Sequence, residues 1–162
     1  MAFINKQTWE ICNYNSRTDY DENEYFEVDE TIALAIAELN KKGYKTSFCC
    51  SGHIFDDLSE FRVNAGSHGT INGVFYEVEE DNEPKDYDFI QSNGNCYISF
   101  GSYYDFSNLP KGFICNHNDD DGTVLEKDFV SKAGTLERSF ELVDTMSDLY
   151  KWVSSLGSIV ES

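Results

Sequence analysis

Between residues 29 and 43 the apolar positions recur every three to four residues. Ile32, Ala35, Ile36 and Leu39 fall at i, i+3, i+4 and i+7, the spacing that gathers side chains on one stripe of a helix. Asp29 precedes the stripe, where a carboxylate can accept from the unpaired N–H groups of a first turn. Lys41 and Lys42 follow at the negative end of the dipole, and Gly43 suits the left-handed residue that closes a helix. The pattern predicts a helix over about 29–42. The period then changes to two, with Tyr44, Thr46 and Phe48 alternating with Lys45, Ser47 and Cys49, which reads as a strand.

A longer stripe covers about 136–156, with Thr135 as its cap and Gly157 placed to end it. Leu142, Met146, Leu149, Val153 and Leu156 recur at heptad spacing, and Phe140, Val143, Tyr150 and Trp152 widen the face. Such a face covers a sheet or pairs with a second copy. Between the helices, 74–78 and 96–100 alternate as strands. Segments 112–116 and 122–126 flank an Asp-Gly step and read as a hairpin. The expected fold is α/β (α+β): a single domain over 1–162, its mixed or antiparallel sheet covered by an N-terminal helix (about 29–42) and a long C-terminal helix (about 136–156).

Composition supports a folded domain. Aromatics make up 15% of 162 residues, with only two prolines, so core material is plentiful. Five cysteines (Cys12, Cys49, Cys50, Cys96, Cys115) form an odd set without the dense spacing of a secreted disulfide scaffold. The first residues hold no apolar run of signal-peptide length, and no stretch approaches the ~18 apolar residues of a membrane span. A reduced cytoplasm and no membrane are the expectations.

The candidate ligand loop is Cys50-Ser51-Gly52-His53, at the end of the first predicted strand. Small residues leave several N–H groups accessible, and Gly52 tolerates positive φ, so an anion nest is geometrically possible. Loops beyond strand ends are also where α/β folds place ligands. The competing reading is a tight turn with Cys50 packed inside. The stretch from Asp29 and Glu30 through Leu39-Asn40-Lys41-Lys42-Gly43-Tyr44-Lys45-Thr46 to Cys49-Cys50-Ser51-Gly52-His53 resembles small uncharacterised proteins of Gram-positive bacteria and their phages. More distantly it resembles the wybutosine-synthesis tRNA methyltransferases, through a helix, a Tyr-x-Thr step and a Cys-Ser-Gly turn. The resemblance covers about 25 residues of the N-terminal third. It implies an α/β fold and, by extension, a small RNA- or nucleotide-modifying enzyme working at Cys50, Ser51 and Gly52. His53 stands where that family has Arg, so a permanent charge with forked donors is lost.

Other chemistry is thinner. Cys49, Cys50 and His53, with Cys115 and His117 as a second pair, offer zinc-type donors, but no Cys-x2-Cys pair exists and neighbours on a strand face opposite ways. A cysteine nucleophile needs a base to lower its pKa, and no spacing selects His53, His68 or His117. Asp119-Asp120-Asp121-Gly122 lacks the alternating ligands and closing Glu of a calcium loop. Asn64-Ala65-Gly66-Ser67-His68-Gly69 lacks the Lys-Ser/Thr of a P-loop. No catalytic residue, metal or cofactor is assigned.

Charge shapes the functional expectation. Thirty Asp and Glu against twelve Lys and Arg give −18, which repels phosphate and anionic membranes. Residues 19–30 and 77–88 each carry seven carboxylates, interleaved with aromatics. Alternate strand residues repeat at about 6–7 Å, so Glu77 and Glu79 can space anions on a phosphate-like scale. The expected partner surface comprises Asp19, Tyr20, Asp21, Glu22, Glu24, Tyr25, Glu77, Glu79, Glu80 and Asp81. Charges raise the on-rate to a basic groove and aromatics anchor it. By analogy with acidic phage anti-CRISPR proteins, the expected function is a non-enzymatic, nucleic-acid-mimicking inhibitor. Its partner is a basic nucleic-acid-binding protein such as a CRISPR nuclease, or that protein's nucleic-acid complex. No direct DNA binding is expected, and the chain acts as monomer or dimer. A solvated acidic face without a partner is the plainer alternative.

Overall fold

The structure is a computed structural model describing residues 1–12, 21–54, 59–63, 68–71, 74–77, 88–92 and 94–159. It is an α+β fold of two helices and antiparallel sheets, with one helix N-terminal and one C-terminal. Strands β1 (Ala2–Asn5), β2 (Ile11–Cys12) and β3 (Tyr25–Val28) form a sheet in the order β2-β1-β3. Helix α1 (Glu30–Lys41) follows, then β4 (Phe48–Cys50). Two antiparallel pairs come next: β5 (Ser59–Val63) with β8 (Asp88–Ser92), and between them in sequence β6 (His68–Ile71) with β7 (Val74–Glu77). Strands β9 (Asn95–Ser99), β10 (Ile114–Asn118) and β11 (Gly122–Asp128) join β4 in an antiparallel sheet ordered β10-β11-β9-β4. Helix α2 (Leu136–Ser155) closes the chain. Among the described residues no helix is long and apolar enough to cross a membrane.

The predicted stripe of α1 is the core's centre. Ile32, Ala35, Ile36 and Leu39 are buried with Ile4 of β1, Ile98 of β9, Leu125 of β11 and Leu149 and Val153 of α2. The helix ends as predicted: Gly43 takes φ +98°, its N–H reaches Asn40 O, and Tyr44 N–H reaches Leu39 O, the paired closure of a Schellman motif. The hairpin is present, with Asn116 opposite Val124 and His117 opposite Thr123.

Several local expectations are corrected. Asp29 occupies the N-cap position, but its side chain makes no capping bond; the carboxylate turns to Ser51 instead. The strand expected from Tyr44 begins only at Phe48, because the Asn40 side chain draws in Thr46, donating to its hydroxyl and accepting from its N–H. Lys42 does not serve its own helix. Its ammonium donates to the carbonyls of Val153, Ser154 and Leu156 at the end of α2. Gly157 does not close α2 in the left-handed region; Leu156 ends the helix in extended geometry. The Thr135 cap holds, its hydroxyl accepting from Arg138 N–H. Along α2, Met146, Leu149, Trp152 and Val153 are buried, whereas Leu136, Phe140 and Val143 are 75%, 68% and 67% exposed.

Candidate functional site

The Cys50–His53 loop leaves β4 where the sheet stops, and three groups fix its course. Asp29 Oδ2 accepts from Ser51 N–H at 3.1 Å and from Ser51 Oγ at 3.0 Å, tying the loop to the start of α1. Arg138 of α2 is fully buried. Its Nη1 donates to His53 O at 2.9 Å, while Nε and Nη2 reach Ser131 Oγ and O. Its guanidinium lies 4.6 Å from the centre of the Phe129 ring. Gly52 completes the turn with φ +88°, and a Cβ there would come within 2.3 Å of that same ring. Only glycine meets both demands.

Within this frame Cys50 Sγ lies 3.5 Å from His53 Nε2. The ligand atoms of Asp29, Cys50 and His53 all fall within 4.8 Å of one another. Cys50 is half-buried and His53 exposed. Cys49, one residue earlier, turns toward the core. Burial, with the nearby Asp29 charge and Cys50, pushes its thiol up to about 12. Cys96 is likewise pushed up to about 12, chiefly by burial. No disulfide joins any of the five cysteines.

The second Cys/His pair stands apart. Cys115 Sγ and His117 Nε2 are 3.7 Å apart on β10, and the thiol is raised by burial and by Asp105. Cys115 shares a cross-strand row with Leu125, Ile98 and Cys49, so β10 and β4 are three strand spacings, roughly 14 Å, apart. One ion cannot take both pairs.

A cleft of about 1410 Å³ opens between this loop and α2. Asp29, Ser51, Gly52 and His53 line it, together with Leu142, Val143 and Met146 of α2. Cys50 does not line it; its sulfur lies 3.5 Å from the ring of His53, which does. Two carboxylates (Asp29, Glu30) and two cations (the Met1 amino group, Lys151) sit on the lining, so the cleft is locally near neutral within an acidic chain. The Met1 amino group lies 3.7 Å from Glu30.

The acidic surface is only partly described. Asp19, Tyr20, Glu79, Glu80 and Asp81 lie outside the described residues. Glu77 ends β7, opposite His68. Asp21, Glu22 and Glu24 are exposed on the turn before β3, and Tyr25 is half-buried in it. The described residues therefore bring together Asp29, Cys50, Ser51, Gly52 and His53. Sequence reasoning missed Asp29 as a site member and Arg138 as the loop's anchor. The Cys-x2-His spacing of Cys50 and His53 was the available signal for the cluster. Nothing in the sequence announced the 85-residue reach of Arg138. Compared with known proteins, the chain matches no family model, no curated protein and no solved structure.

Proposed function

We propose that this protein binds a neutral, largely apolar small molecule in the cleft between the Cys50–His53 loop and α2. One observation carries the reading: a roomy, mostly hydrophobic cleft is lined on one side by the Asp29 carboxylate and the His53 imidazole, with the Cys50 thiol next to them. Apolar walls with a few convergent polar groups are the usual composition of ligand sites. A phosphorylated ligand is disfavoured, because the lining's charges offset one another inside a chain of −18. That separates this reading from an RNA- or nucleotide-modifying enzyme, although it uses the same loop.

The test is binding of a neutral fluorophore, Nile red, followed by emission. Val143 is exposed, so Val143→Asp leaves the fold intact and should weaken binding by roughly tenfold or more. Phe140→Asp, on the same helix but off the cleft lining, should leave it unchanged. Equal affinity in all three proteins would overturn the proposal.

A second reading is the acidic inhibitor of a basic nucleic-acid-binding protein. The exposed carboxylates of Asp21, Glu22 and Glu24 favour it, since no ion pair involves them among the described residues. Such a complex weakens steeply with salt. A pull-down with a basic nuclease that is indifferent both to salt and to Glu22→Lys/Glu24→Lys removes this reading.

A further inference from the structure

We infer that Asp29, Cys50 and His53 form a three-ligand site for a zinc-type divalent cation, with the fourth position open to the cleft. The inference deepens the cleft reading and rests on it for that fourth position. The donor set is one carboxylate oxygen, one sulfur and one imidazole nitrogen, each a common zinc ligand. A sulfur at about 2.3 Å and a nitrogen at about 2.0–2.1 Å from a tetrahedral zinc stand roughly 3.5 Å apart. Cys50 Sγ and His53 Nε2 are 3.5 Å apart. The third donor lies within 4.8 Å of both, so closing the triangle needs a movement of roughly 1 Å.

Three further features fit a metal better than a bare Cys–His nucleophile. Asp29 is not placed as the third member of a hydrogen-bonded relay: its Oδ2 takes both bonds from Ser51 and it makes none to the His53 ring. Those bonds orient the carboxylate as outer-sphere partners orient metal ligands, and Oδ1 accepts no hydrogen bond among the described residues. A single dication can take the Asp29 oxygen, the Cys50 sulfur and the His53 nitrogen together, which their mutual distances allow. The loop itself is held by Arg138 on His53 O and by the Gly52–Phe129 contact. Three protein ligands and an open position make a site that binds and polarises a ligand, rather than a closed structural one.

The experiment titrates the full chain, reduced and stripped with EDTA, with cobalt(II) in excess magnesium to occupy the surface carboxylates. One equivalent should give a thiolate-to-cobalt charge-transfer band and the strong visible bands of a four-coordinate ion, both lost on adding zinc. Cys50→Ser should abolish the charge-transfer band. His53→Ala and Asp29→Asn should weaken binding by roughly tenfold or more, the scale that loss of even an outer-sphere partner carries. Cys115→Ser should change nothing. Absence of the band in the unmodified protein overturns the inference, whatever the variants do. So does its survival in folded Cys50→Ser or its dependence on Cys115. Nile red binding without cobalt binding refutes the metal and keeps the cleft; cobalt binding without Nile red does the reverse.

Discussion

Arg138 donates from Nη1 to the main-chain oxygen of His53 at 2.9 Å across 85 residues of sequence. The same guanidinium satisfies Ser131 and stacks on Phe129, so one buried side chain joins the candidate loop to α2. Replacing it with Met fills the volume but leaves part-buried acceptors without their charged donor. Arg138→Met should cost about 3 kcal/mol in urea unfolding. Arg138→Lys should recover less than half, because a point ammonium cannot reproduce the fork. A loss within 0.5 kcal/mol, on the scale of about 0.5 kcal/mol for neutral surface changes, would show that the guanidinium is not the anchor.

Gly52→Ala should be among the costliest alanine substitutions in the chain. It places a Cβ at positive φ and against the Phe129 ring, which together should cost about 3 kcal/mol. Because the two residues touch, Gly52→Ala with Phe129→Leu should fall short of the sum by about 1 kcal/mol. Strict additivity in a denaturation cycle would place the clash elsewhere.

Lys42→Met should destabilise by about 1–2 kcal/mol, since three carbonyls at the end of α2 lose their charged donor. Lys41→Met provides the control. Its side chain is exposed and makes no hydrogen bond or ion pair among the described residues, so its effect should stay within about 0.5 kcal/mol. Equal losses for the two would refute the assignment.

The buried thiols give a pH signature. Cys96 is held protonated, its pKa raised from 9.0 to about 12 by burial. The unfolded chain releases this proton first, so the contribution to stability is intact below pH 9 and is lost as pH rises from 9 toward 12. The slope per thiol is at most about 1.4 kcal/mol per pH unit. Cys96→Ala should flatten that limb, and native Cys96 should resist iodoacetamide at pH 8 until denaturant is added.

The helices and the β10–β11 hairpin were legible because their signals are local: a 3.6-residue stripe, a capping Thr135, an Asp-Gly step. The N-terminal sheet was not. Its strands are two to four residues long, too short for a period to show, and its first turn is built by the Asn5 side chain accepting from Gln7 and Thr8 N–H. Asp29 and Lys42 were read correctly by position and wrongly by partner. Each is a good cap for α1, yet Asp29 serves Ser51 and Lys42 serves α2. Tertiary partners outbid the local ones, and sequence spacing carries no record of that contest. The loop was found through Cys50, Ser51, Gly52 and His53, while the cleft beside it depends on how α2 lies.

Among the described residues the four-stranded sheet has β4 and β10 outermost, and neither contains Lys, Arg, Asp, Glu or proline. Phe48 and Ile114 on them are 67% and 55% exposed. Strands at a sheet margin normally carry lysine or proline to discourage pairing with a neighbour. Here that protection falls to mutual repulsion between molecules of net charge −18. Acidification toward the isoelectric point near 4.3 abolishes the repulsion, and salt screens it over about 10 Å at 0.1 M. Colloidal stability is therefore a property of the whole charge distribution, and copies should begin to stack edge to edge, as turbidity, before the core loosens.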